Sequence, residues 1–166
     1  NFPLKVKKLE IFQVNIGYMC NQVCEHCHVD AGPDRKEIMT KNTMGQCLEA
    51  IKESGAHTVD ITGGAPEMNP NFRWFIEELT KIGVDDIIVR SNLTIIVANK
   101  KYRNLPEFFK ANNIHLISSL PCYTAENVDK QRGDGVFNAS IEALKMLNRI
   151  GYGVENSDLK ENFSSK

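Results

Sequence analysis

The sequence lacks the features that would assign it to a nucleic acid, a membrane or the outside of the cell. Lys and Arg number 20 against 21 Asp and Glu, so the formal net charge of −1 gives no attraction to a polyanion. The longest apolar run lies around residues 95–98 and is far too short to cross a bilayer. No charged and apolar leader precedes the first predicted strand. We therefore expect no nucleic-acid partner and no membrane anchor.

Cysteine is also scarce, but three of the five cysteines, Cys20, Cys24 and Cys27, fall within eight residues. Two cysteines so close in a loop form a poor disulfide, and a triplet leaves one thiol unpaired. The spacing therefore indicates metal or iron–sulfur ligation. Because the thiols are at ligand spacing and no export signal is visible, we expect a reducing compartment, the cytoplasm.

Two kinds of centre fit this triplet. A structural zinc site would need a further ligand such as His26 or His28, and usually a second ligand pair. The sequence contains no second C-x-x-C and no H-x-x-x-H. A four-iron cluster normally takes four cysteines, so three thiolates would leave one iron open to a small molecule. The pattern favours the cluster.

Strand and helix patterns alternate four times along the chain. Alternating or apolar segments predict strands at residues 9–16, 58–62, 86–90 and 114–120. Helical spacing and capping residues predict helices at residues 44–55, 69–83, 106–112 and 134–151. This order is typical of an α/β fold with parallel strands and helical crossovers. Residues 155–166 are polar and show no strand pattern.

Chemically unusual residues follow the ends of the predicted strands. The cysteine triplet follows the first strand, Gly63, Gly64 and Glu67 follow the second, and Ser91 with Asn92 ends the third. Cys122 follows the fourth strand. In open parallel sheets and in (β/α) barrels, this edge binds ligands. Taken one by one, a Gly-Gly pair is also a common turn, and Ser and Asn also commonly end strands.

A C-x-x-x-C-x-x-C loop after the first strand of a βα repeat resembles the radical S-adenosylmethionine (SAM) superfamily. The resemblance implies a partial TIM-like (β/α) barrel and a [4Fe–4S] cluster held by Cys20, Cys24 and Cys27, whose open iron binds SAM. Reductive cleavage of SAM would then give methionine and a 5′-deoxyadenosyl radical, with flavodoxin or ferredoxin as electron donor. The superfamily positions that bind SAM correspond here to His26, Gly63, Gly64, Glu67, Ser91, Asn92 and Arg132. His26 and Arg132 are equally compatible with ordinary loop positions.

Five stretches, at residues 12–17, 27–33, 62–67, 119–123 and 127–137, together resemble the arsenosugar-biosynthesis branch of that superfamily. This implies that a methylated arsenical is adenosylated. Because trivalent arsenic is thiophilic, Cys122 is a candidate substrate contact, and a buried strand-end cysteine is the alternative.

The end of the sequence departs from that family, which continues into further strands and a cysteine-rich region. We therefore expect about four βα units of a truncated barrel in residues 1–152, followed by a polar tail at 153–166. Two alternatives stay open: a non-catalytic iron–sulfur or zinc-binding fragment, and a radical SAM enzyme with another small-molecule substrate.

Overall fold

A five-stranded parallel sheet organises the computed structural model, which describes residues 7–25, 27–120 and 124–164. Its strands lie in chain order, each paired with the next. They are β1 Ile11–Asn15, β2 Thr58–Thr62, β3 Asp86–Ser91, β4 His115–Ser119 and β5 Glu161–Ser164. The predicted α/β fold, a partial TIM-like barrel, is therefore confirmed.

Helices connect the strands in the described part of the chain. They are α1 Lys41–Ser54, α2 Phe72–Lys81, α3 Ile95–Ala98, α4 Leu105–Ala111, α5 Ala125–Arg132 and α6 Val136–Ile150. The Thr40 hydroxyl caps α1 by accepting from the backbone N–H of Thr43, and Gly55 ends this helix with a φ of 64°. None of these helices combines the length and apolar character that a membrane span requires.

The start of α2 differs from the prediction. Asn69 is not the N-cap of the helix, because its side-chain oxygen accepts from the backbone N–H of Asn71 in the turn before α2, at 2.8 Å. Its buried Nδ2 donates to the carbonyl oxygens of Ile16 at 2.9 Å and Met39 at 3.0 Å. The short 3₁₀ turn Pro66–Met68 intervenes, and the helix begins at Phe72. Asn69 thus ties the end of β1 to the chain before α1.

Side chains on the two faces of the sheet differ in polarity. On one face Val14, Ile61, Val89 and Leu116 are buried in the apolar core with residues of the helices. On the other face the strands carry polar residues, among them Gln13, Asp60, Arg90 and His115. The helices therefore cover one face, and the polar face corresponds to the interior of the barrel.

The expectation that no strand follows the fourth unit is wrong at Glu161–Ser164, which pairs with β4 in parallel. The Ser118 hydroxyl donates to Glu161 Oε1 at 2.8 Å, and Asn162 Nδ2 lies 2.7 Å from His115 Nε2. This strand has a single large apolar side chain, Phe163, so its sequence shows no strand pattern. Pairing with β4 stabilises it instead. The division of the chain at residue 152 remains a prediction.

Candidate functional site

A cavity of about 480 Å³ lies at the carboxyl ends of the strands, where Thr62, Ser91 and Ser119 end β2, β3 and β4. Most of the predicted site residues meet in its wall, namely Cys20, Cys24, Cys27, Gly63, Gly64, Ser91, Asn92 and Arg132. Residues more than 110 positions apart in sequence are thus brought to one cavity, as parallel strands require.

Backbone pairing holds the loop that carries the cysteines. The N–H of Cys20 donates to the Gly32 carbonyl, and the N–H of Gly32 donates to the Tyr18 carbonyl, both at 3.1 Å. Arg35 links two parts of the loop. Its Nη1 pairs with Asp30 Oδ2 at 3.1 Å, and its Cζ lies 4.9 Å from the centre of the Tyr18 ring. The loop therefore returns upon itself, with its thiols toward the cavity.

Hydrogen-bond donors approach two of the three sulfurs. Asn92 Nδ2 donates to Cys20 Sγ at 3.4 Å, and the backbone N–H of Ala31 donates to Cys27 Sγ at 3.2 Å. Burial raises the pKa of Cys20 and of Cys24. Asn92 opposes that rise at Cys20, and the positive charge of Arg132 opposes it at Cys24. These contacts offset part of the effect of burial, and the pKa of both thiols stays above its ordinary value, so metal binding would displace their protons.

The donor set fits an iron–sulfur cluster better than a single zinc ion. All three cysteines of the loop are free, and they border one cavity. No three His, Cys, Asp or Glu side chains of the described residues are close enough together to hold one metal ion. His28 also lines the cavity but does not complete such a site. Three free thiols that line one cavity fit a group with several metal atoms, such as an iron–sulfur cluster.

The glycine pair packs against the cysteine loop. The backbone N–H of Gly64 donates to the Gly17 carbonyl, and that of Ala65 donates to the Met19 carbonyl, both at 2.9 Å. A Cβ atom on Gly63 would lie 2.5 Å from the Gly17 oxygen, and one on Gly64 would lie 2.6 Å from the Met19 oxygen. These glycines, which correspond to predicted SAM-binding positions, let the chain itself approach closely at this point.

Asn92 is engaged by protein on both of its side-chain ends. Besides Cys20, its amide donates to Asn21 Oδ1 at 2.8 Å, while its oxygen accepts from the Ile95 N–H at 3.1 Å. Ser91 is 1% exposed, and its hydroxyl accepts from the Leu93 N–H at 3.3 Å. Asn92 therefore connects the end of β3 to the cysteine loop.

Glu67 does not line the cavity. Its side chain is buried on the 3₁₀ turn, and neither carboxyl oxygen has a hydrogen-bond partner among the described residues. Burial raises the pKa of this carboxyl to about 7, although its own backbone N–H and the nearby Ser91 hydroxyl, which are not in hydrogen-bonding geometry, oppose the rise. The predicted contacts His26 and Cys122 lie outside the described residues.

Arg132 ends α5 beside the cavity, and its Nη1 donates to the Ser119 carbonyl at 3.1 Å. A second arginine that was not predicted, Arg90, lines the same cavity and pairs with Asp60 across β2 and β3. The signal was present, since Asp60 is a charged residue between Val59 and Ile61 in a predicted strand. A charged residue at such a position needs a buried partner.

Comparison with known proteins gives one family. A model described as the radical SAM superfamily matches residues 14–159. A probable GTP 3′,8-cyclase of Saccharolobus islandicus is 23% identical over 146 residues, covering 87% of this chain and 46% of the relative. The corresponding protein of Saccharolobus solfataricus is 20% identical over 146 residues, with the same coverage. The chain therefore spans about half the length of the curated relatives it matches.

Solved structures agree in fold. Streptococcus suis SuiB bound to S-adenosylmethionine superposes with a TM-score of 0.69 at 17% identity, over 90% of this chain and 35% of SuiB. A histidine-tagged anSMEcpe with bound AdoMet gives 0.70 at 16% identity, over 95% of this chain and 43% of that one.

Proposed function

Because the chain belongs to the radical SAM superfamily, we propose that it is the cluster- and SAM-binding part of a radical SAM enzyme. The superfamily uses a [4Fe–4S] cluster and SAM. When bound, the cluster supplies an electron, and SAM supplies the carbon–sulfur bond whose cleavage gives a 5′-deoxyadenosyl radical. The observation that carries the proposal is the meeting of three free thiols with the strand-end residues in one cavity.

Each residue of the cavity has a proposed role. Cys20, Cys24 and Cys27 hold the cluster as thiolates. Arg132, which is close enough to Cys24 to lower its pKa, pairs with the SAM carboxylate, since guanidinium and carboxylate form strong paired hydrogen bonds.

Other predicted residues act at the edges of that site. Gly63 and Gly64 let SAM approach the backbone closely. The same two residues pack against the cysteine loop and hold it in place. Ser91 and Asn92 form part of the same cavity wall. His26 is proposed to contact the adenine ring of SAM. Glu67 is buried and does not line the cavity, so it would act on the site only through the residues packed around it.

Anaerobic reconstitution tests the proposal. We expect about four irons per chain, as a [4Fe–4S] cluster requires, and a change in the electron paramagnetic resonance of the reduced cluster on adding SAM. C20A, C24A and C27A should each abolish stable uptake. C47A is the matched control, because Cys47 lies on α1 outside the cavity. Uptake of stoichiometric zinc without iron would contradict the proposal.

For the substrate we propose a methylated arsenical, with a flavodoxin or ferredoxin as electron donor. The support is the set of five stretches that resemble the arsenosugar-biosynthesis branch, including residues 62–67 at the cavity. The match to relatives named probable GTP 3′,8-cyclases favours a second candidate, a radical reaction on a purine nucleotide. Mass spectrometry of reactions with dimethylarsinous acid or with GTP separates them, since an adenosylated arsenic product appears only in the first case.

A further inference from the structure

A charged group lies on the polar face of the sheet, deeper than the cysteine loop. Gln13 of β1 and Asp60 of β2 are register partners, and Arg90 of β3 reaches back to the Asp60 carboxylate. Asp60 lies two residues before Thr62, the last residue of β2, which is about 7 Å along a strand. The Arg90 guanidinium therefore lies in the floor of the cavity, whereas Arg132 lies in its upper wall.

The hydrogen bonds fix Arg90 but leave part of its guanidinium free. Arg90 Nε and Nη2 donate to Asp60 at 2.9 and 2.8 Å, and Gln13 Nε2 donates to the same carboxylate at 2.9 Å. Among the described residues nothing accepts from Arg90 Nη1. The Arg90 side chain is 40% exposed while that of Asp60 is 6% exposed. The Arg90 guanidinium is therefore open to the cavity, whereas the Asp60 carboxylate is buried and does not line it.

The rest of the wall carries no opposing acid. None of the described residues that line the cavity is Asp or Glu, whereas Arg90 and Arg132 both line it. Arginine with an exposed N–H edge pairs well with the planar or tetrahedral oxygens of carboxylates and phosphates. A pair needed for folding alone would not require an exposed donor edge on a cavity.

We propose that Arg90, oriented by Asp60 and Gln13, binds an oxyanion group of the substrate in the cavity floor. The group would be a carboxylate or a phosphate, as on a purine nucleotide, because a trivalent methylated arsenical carries no anionic oxygen. Placing the substrate there rests on the proposed function, but oxyanion binding itself is measurable without a cluster. The depth of Arg90 assigns this group to the substrate, and Arg132 keeps the SAM carboxylate.

The test uses the cluster-free chain and calorimetric titration with acetate and with inorganic phosphate. Removing Arg90 alone would leave Asp60 buried without its cation, so the informative variant is D60N/R90Q, which removes both charges. R103Q is the matched control, because Arg103 forms an exposed ion pair with Glu142 at 2.6 Å and does not line the cavity. Circular dichroism verifies that both variants are folded.

We expect saturable binding of at least one oxyanion by the wild type, a loss of tenfold or more in D60N/R90Q, and no change in R103Q. The reconstituted D60N/R90Q variant should keep the spectral response to SAM. Equal oxyanion binding by wild type and D60N/R90Q, or no saturable binding by the wild type, overturns the inference. Loss of the SAM response in this variant also overturns it, because Arg90 would then serve SAM. A chain that binds oxyanion through Arg90 but takes up no iron would instead contradict the proposed function.

Discussion

The buried carboxyl group of Glu67 makes the stability of this fold depend on pH. Glu67 is 5% exposed and neither oxygen has a partner among the described residues. Burial raises its pKa from 4.5 to about 7. The folded chain therefore keeps a proton that the unfolded chain releases above pH 4.5. Consequently the free energy of unfolding falls as the pH rises from about 4.5 to 7, and this loss levels off above that.

The size of this effect follows from the two pKa values. At about 1.36 kcal/mol per pKa unit, the full loss is about 3 kcal/mol, of which about 2.5 kcal/mol falls between pH 5 and pH 8. E67Q replaces the acid by a neutral side chain of the same shape. We therefore expect E67Q to gain about 2.5 kcal/mol of stability relative to the wild type when the pH is changed from 5 to 8.

Urea denaturation at the two pH values measures this difference, provided that both proteins show the same slope against urea. E53Q, at an exposed position of α1, controls for removing one surface carboxylate. A stability difference between E67Q and wild type that stays constant from pH 5 to pH 8 would refute the reasoning. It would mean that the Glu67 carboxylate has a partner or access to water.

Two further predictions concern the support of the cysteine loop. In G64A the added Cβ would lie 2.6 Å from the Met19 oxygen and 2.9 Å from the Ala31 side chain, so we expect a displaced loop and at least a several-fold loss of iron uptake. G45A is the control, because a Cβ there meets nothing within 4 Å, and in α1 it should stabilise the chain by up to about 1 kcal/mol. Equal iron content in G64A and G45A would contradict this account. In N92A the Cys20 sulfur loses a donor, and hydrogen bonds to sulfur help set cluster potentials. We expect a lower midpoint potential in a redox titration followed by electron paramagnetic resonance, and an unchanged potential would show that the contact has no electronic effect.

The sequence predicted those parts of the structure whose signal is local. Strand and helix periodicity located the first four strands, and the spacing of Cys20, Cys24 and Cys27 indicated the centre. Segments stabilised by distant partners were missed. Strand β5 has little apolar pattern and depends on β4, whereas α5 is polar and buries only Val128. Distant partners also hold Asn69, whose Nδ2 donates to Ile16 and Met39 while its oxygen accepts from Asn71 in the turn before α2.

The distribution of polar contacts divides the strand-end residues into two groups. The N–H groups of Gly64 and Ala65 and the side chain of Asn92 are already bonded to the cysteine loop or its approach. Their conformation therefore matters for where the thiols lie, even when no ligand touches them. The two arginines differ, because Arg132 donates to the carbonyl at the end of β4, whereas no described residue accepts from Arg90 Nη1. Under the proposed function we therefore expect ligand charge to be bound by the arginines, and the cluster to depend on the glycines and Asn92 for the position of its thiols. Substitutions of the arginines should weaken ligand binding without loss of iron, whereas substitutions of the glycines or Asn92 should lose or alter iron first.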